Sequence, residues 1–230
     1  MDLILDIETI PAQRIEVLDM FVEDAEADKL AVKAPSNYKD PEKIAEYIAA
    51  KCVEIDLAVS EKYRKTALDG TFGQICVIGY TYGDKDPVTI YKQDKWEDEA
   101  YVLHEFFSDL ALLFNPSDRF KFIGHNIVGF DLRFINQRAV VCGIKPPAWF
   151  PVNPRPGSEF VFDTMTEWAG WGNRISLDRL GRALGLGGKG EFNGSMVWDA
   201  VCNGEIKRVA EYCAEDVSLT RDIYKRMNFL

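Results

Sequence analysis

Residues 3–10, LILDIETI, constrain this chain more than any other stretch. They read as a buried β-strand, yet Asp6 and Glu8 stand in it two residues apart. Residues i and i+2 of a strand share a face. Leu3, Leu5 and Ile7 therefore take one side, and Ile4, Asp6 and Glu8 take the other. The Cα atoms of the two acids would lie about 6–7 Å apart. Two carboxylates that close in a partly dry place repel each other and lose hydration. No Arg or Lys occurs in residues 1–13, so neutralisation must come from another segment or from bound cations. An exposed strand end, with both acids in water, would satisfy the same pattern.

The 230 residues suit one large α/β domain, or a domain with one substantial insertion. Strands are expected at 2–8, 74–82, 87–92, 120–125 and 159–163. Pro11 ends the first, and residues 83–86 form a hairpin-type connection between the second and third. Helices are expected at 41–69, 97–114, 130–142, from Ser176 to Gly185, near 195–203 and over 205–227. Residues 143–158 hold five prolines and read as a long loop. The order predicts an α/β fold, a mixed five-stranded sheet flanked by helices. It forms a single domain over 1–230, with a helical insertion at 12–72 between the first two strands.

Composition narrows the function classes. The formal charge is −10, which argues against a nonspecific nucleic-acid coat protein but not against an enzyme gripping nucleic acid locally. Five cysteines, an odd number with no CxxC pair, argue against a disulfide framework or a zinc ribbon and for a reducing, cytoplasmic setting. Neither a secretory leader nor a membrane span is expected. The two histidines, His104 and His125, are too few for a His-rich metal site. Any metal must be held by oxygen, which suits Mg²⁺ or Mn²⁺.

Two later stretches bear on the paired acids. In 124–134, GHNIVGFDLRF, a strand gives way to a helix with Asp131 at its start, where plain N-capping is the ordinary role. In 211–217, EYCAEDV, Tyr212 and Asp216 stand at i and i+4 on one helix face. Together these segments resemble the three motifs of the DEDD 3′–5′ exonucleases: DIET, the Asn126–Asp131 run N-x-x-x-F-D, and Y-x-x-x-D. The tyrosine resembles the DEDDy branch. GHNIVGFD and YCAEDV are similar to the proofreading domains of family B DNA polymerases. The stretch from SLDRLGRALGL through GGKGEFNGSMVWD resembles the stand-alone exonucleases related to them.

The resemblance implies an RNase H-like (DnaQ-like exonuclease) fold and hydrolysis assisted by two divalent metal ions, Mg²⁺ or Mn²⁺. It implies Asp6, Glu8, Asp131 and Asp216 as metal ligands, with Tyr212 orienting the attacking water. Thr9, Ile10, Asn126 and Phe130 would line the cleft for the terminal nucleotides. The implied substrate is a DNA 3′ end, single-stranded by preference, with RNA as an alternative. A DNA polymerase or other replication proteins acting in trans are conceivable partners, and a membrane is not. A non-catalytic nucleic-acid-binding or polymerase-accessory module is the competing reading.

Three further features are weaker. Arg174, Arg179, Arg182 and Lys189 form a basic strip that suits a phosphate backbone or a solvated helix face. Residues 185–190, GLGGKG, match a dinucleotide-binding pattern in form only, since no strand precedes them. Trp168 and Trp171 are candidates for base stacking, although packing is the commoner fate of tryptophan. Asp163 closes a strand; a simple turn residue is its ordinary reading, and an acid supporting the metal ligands is the alternative.

Overall fold

The computed structural model describes residues 1–94, 98–155, 157–188 and 190–230. They divide into two compact units, Met1–Thr9 with Gln74–Leu230, and Ile10–Gly73.

The first unit is built on a five-stranded sheet, in the order β3-β2-β1-β4-β5. Its strands are β1 (Asp2–Ile10), β2 (Gln74–Tyr82), β3 (Val88–Ile90), β4 (Lys121–Gly124) and β5 (Val161–Asp163). β1 and β5 both run parallel to β4, whereas β3 runs antiparallel to β2. The sheet is therefore mixed, as the strand order predicts. β1 is longer than expected because Pro11, which lacks an N–H, is the first residue unable to continue it.

Alternation along β1 separates two packed layers. Leu3, Leu5 and Ile7 enter the main core with Val102, Phe106 and Leu110 of α3 (Glu99–Leu113) and Leu132, Phe134 and Ile135 of α4 (Asp131–Val141). Ile4 faces the opposite way and packs with Val217 and Tyr224 of α8 (Ile206–Met227). The polar side of β1 therefore looks toward α8. Between β5 and α8 the described residues form three short α-helices, α5 (Thr164–Ala169), α6 (Leu177–Ala183) and α7 (Val197–Cys202), with a 3₁₀ turn over Gly194–Met196. Ser176 caps α6, accepting from the Arg179 N–H, as its position predicts. α5 was not expected from sequence.

Two packing details hold the layers. Arg138 of α4 donates through Nε and Nη2 to the buried Glu99 of α3, whose Oε1 also accepts from the Ile75 N–H of β2. On the opposite face, α8 approaches β2 at Gly79, where a Cβ would sit 2.6 Å from Cys213 Sγ.

The second unit is helical, as expected for 12–72, with α1 (Ile15–Ala31) packed on α2 (Pro41–Lys65). Asp40 caps α2 and Pro41 opens it. The α-helix stops at Lys65, short of the expected Asp69, and a single 3₁₀ turn over Thr66–Leu68 follows. Thr66 explains the stop: its hydroxyl donates to the Tyr63 carbonyl and accepts from the Ala12 N–H.

Candidate active site

β1 carries Asp6 half-buried and Glu8 buried, both on the side facing α8. Asp131 opens α4, but it does not cap it. The N-cap position belongs to Phe130, which contributes no side-chain bond. The Asp131 carboxylate instead accepts a hydrogen bond of 3.1 Å from the backbone N–H of Ile7, between the two acids of β1. The capping role weighed from the sequence is thus corrected: Asp131 ties the start of α4 to the centre of the acidic strand.

α8 supplies the remaining groups. Tyr212 and Asp216, one turn apart, are both buried and hydrogen-bonded to each other. Burial, and then the charges of Asp216, Glu8 and Asp6, push the Tyr212 phenol well above its ordinary value. Burial also pushes the Asp131 carboxyl up, to about 7, with the charges of Asp163 and Asp216 adding to the rise. The amides of Asp131 and Ile7 oppose it. Each acid is therefore within electrostatic reach of others contributed by a different segment, and the four acids and the tyrosine form one cluster.

Cys213 is a member of this cluster that the motifs did not single out. Its thiol lies 3.6 Å from both the backbone carbonyl and the carboxylate of Asp6. Donor atoms of Asp6, Glu8 and Cys213 lie within 4.8 Å of one another. Burial and the neighbouring carboxylates raise the thiol well above its usual range. The oxygen donors suit a hard divalent cation such as Mg²⁺ or Mn²⁺, whereas a protonated thiol does not. The carboxylates thus fit the expected metal ions, and Cys213 serves as packing beside them.

Asp163 is the second residue whose role exceeds expectation. It caps α5 through the N–H groups of Met165 and Thr166. It also accepts from the N–H groups of Asn126 and Val128, at 2.9 and 3.2 Å. One buried carboxylate thereby holds the turn that feeds α4, in which Asn126 has the left-handed φ of 66°. His125 braces the same turn, its ring bridging the Thr164 hydroxyl and the Ile175 carbonyl.

The other candidates are distributed as follows. Phe130 is half-buried, tilted against Phe134 at 5.3 Å and packed on the main core. Thr9 is half-buried at the end of β1's share of the first unit, while Ile10 is fully buried and belongs to the second unit. Lys189 lies outside the described residues. Of the basic strip, Arg182 is engaged by Asp178 at 2.9 Å, and Arg174 lines a cavity with Asn126. The glycine-rich loop follows α6, as expected. Gly188 abuts Asp178 and Arg182 so closely that a Cβ would collide with them. Tyr212 also leans on Phe192, ring centroids 5.1 Å apart, and the Arg208 guanidinium covers Phe192 at 4.8 Å.

Comparison with known proteins bears on this site. The family of predicted 3′–5′ exonucleases related to the exonuclease domain of PolB matches residues 66–230. That range contains Asp131, Tyr212 and Asp216; β1 with Asp6 and Glu8 precedes it. A family B DNA polymerase from the hyperthermophilic archaeon Pyrobaculum calidifontis is similar in structure. The TM-score is 0.58 at 13% identity, over 98% of this chain and 24% of the polymerase chain. The likeness establishes the fold, and this chain spans about a quarter of that protein's length. No curated protein matches the sequence.

Proposed function

The chain belongs to the family of predicted 3′–5′ exonucleases related to the exonuclease domain of PolB, and on that premise we propose that it removes nucleotides from the 3′ end of single-stranded DNA. Two divalent cations, Mg²⁺ or Mn²⁺, are its proposed cofactors. The observation that carries the reading is the hydrogen bond from Ile7 to Asp131, which brings an acid from α4 to the paired acids of β1. Tyr212 and Asp216 complete a site of the DEDDy type.

In this reading Asp6, Glu8, Asp131 and Asp216 would hold the two cations. When bound, the cations stabilise negative charge on the attacking and leaving oxygens of the phosphodiester. A free phenol titrates near 10, so Tyr212 suits orienting the attacking water better than abstracting its proton. Asp163 acts at one remove, fixing the Asn126–Val128 turn so that Asp131 stays on β1. Asn126, Phe130, Thr9, Ile10 and Lys189 are the proposed contacts to the terminal nucleotides. A polymerase or replication protein working in trans is the proposed partner, and the cytoplasm the proposed compartment, suited to free thiols.

A time course on a 5′-labelled single-stranded DNA oligomer tests this, with Mg²⁺ or Mn²⁺ and an EDTA control. The same sequence in RNA, and the Asp6→Ala and Tyr212→Phe proteins, run beside it. The expected result is a ladder shortening from the 3′ end, absent with EDTA. Asp6→Ala should lower the rate at least about a hundredfold, and Tyr212→Phe should lower it with the fold intact. Intact DNA in every lane, or full activity of Asp6→Ala, refutes the assignment. Faster loss of the RNA would transfer the chemistry to an exoribonuclease.

A further inference from the structure

The chain after α5 reads Gly170-Trp171-Gly172. Both glycines have φ of 81°, a left-handed conformation that costs glycine little. They turn the backbone on either side of Trp171, which is 76% exposed. So exposed, Trp171 offers an aromatic face on which a base can stack.

Trp171 lines a cavity. With Asn126, Gly129, Asp163 and Arg174 it lines a space of about 290 Å³. Asn126 and Gly129 belong to the turn that enters α4, two elements of the site at once, since Asp131 follows directly. Asp163, in the same lining, is close enough for its charge to raise the Asp131 carboxyl. The cavity is therefore walled by the turn that leads into Asp131 and by the Asp163 carboxylate that holds that turn. It offers an aromatic face, a side-chain amide and a guanidinium. Its volume lies near the lower end of small-ligand pockets, about 300–1,000 Å³, which suits one planar ring system and excludes a duplex.

We propose that this cavity holds one unpaired nucleobase of the substrate strand, stacked on Trp171, with Arg174 at the neighbouring phosphate. The proposal rests on the exonuclease reading and deepens it. Only a base free of its complement can leave its stack and enter such a space. Trp171 thereby makes the site selective for single strands. At a net charge of −10 the chain gains little nonspecific phosphate attraction, so stacking supplies a larger share of the affinity than it would in a basic protein.

The test is fluorescence anisotropy with 5′-fluorescein-labelled decathymidylate in EDTA, where binding proceeds without cleavage. Base–aromatic stacking is worth roughly 1–3 kcal/mol. Trp171→Ala should therefore raise Kd roughly 5- to 150-fold, and Trp171→Phe should recover most of the loss. Moving a single abasic site along the oligomer should reveal one position that weakens wild-type binding and leaves Trp171→Ala unaffected. Equal affinity of Trp171→Ala and wild type, or an abasic scan identical in the two proteins, overturns the proposal. If wild type still shortens the oligomer with metal present, the exonuclease reading survives that outcome. Wild type that neither binds nor cuts removes both.

Discussion

At Asp131 burial opposes the charged carboxyl, the charges of Asp163 and Asp216 add to that opposition, and the amides of Asp131 and Ile7 favour the charge. The opposition prevails, and the group is pushed up to about 7. The folded chain therefore keeps this proton to higher pH than the unfolded chain, whose aspartates titrate near 4. Its contribution to stability is full below the unfolded value and is lost as pH rises toward about 7. Thermal melts in EDTA across that window should show wild type losing ground to Asp131→Asn as pH rises. A gap between the two that stays constant with pH would contradict this. At this scale the sequence is most informative where chemistry repeats a known spacing. Asp6, Glu8, Tyr212 and Asp216 were legible because their spacings place them on one strand face and one helix face. Asp163 and Cys213 were not. Asp163 finds partners 35 and 37 residues away, and nothing local distinguishes such a clamp from a turn aspartate. The position of Cys213 beside Asp6 depends on a glycine in another strand.

That glycine sets how α8 meets the sheet. Gly79 leaves no room for a methyl group, since Cys213 Sγ lies 2.6 Å from where it would sit. Gly79→Ala should displace α8 and with it Tyr212 and Asp216, lowering nuclease activity. Gly79→Ala/Cys213→Ala should restore much of it, because truncating the sulfur reopens the space. A double variant no better than Gly79→Ala would place the damage elsewhere. On the opposite face, the Glu99–Arg138 pair ties α3, α4 and β2. Arg138→Met would leave Glu99 buried without its cation, and urea unfolding should report a loss of about 3–5 kcal/mol. The strands and long helices were legible because their alternation and helical periodicity extend over many residues. The six-residue α5 carries too little pattern to be read. It exists because Asp163 caps it, and that cap is visible only once β5 has brought Asp163 to the turn.

The whole molecule comprises two units, and the helical one interrupts the other directly after the acids of β1. The family match over 66–230 begins at the far edge of that interruption. The acidic strand β1 lies outside that match, although it sits at the centre of the sheet. The fold itself was legible from the order of its elements, and the polymerase likeness agrees with it. No helix among the described residues is long and apolar enough to cross a membrane.

The cluster joins residues that are remote along the chain: Asp6 meets Cys213 across 207 positions. Closing so long a span is entropically costly and is deferred until the intervening structure has shortened it. During synthesis β1 leaves the ribosome early and must wait, its carboxylates unmatched, until α8 emerges and docks. A partly made chain would therefore lack the assembled acid cluster, which exists only once its last helix is in place.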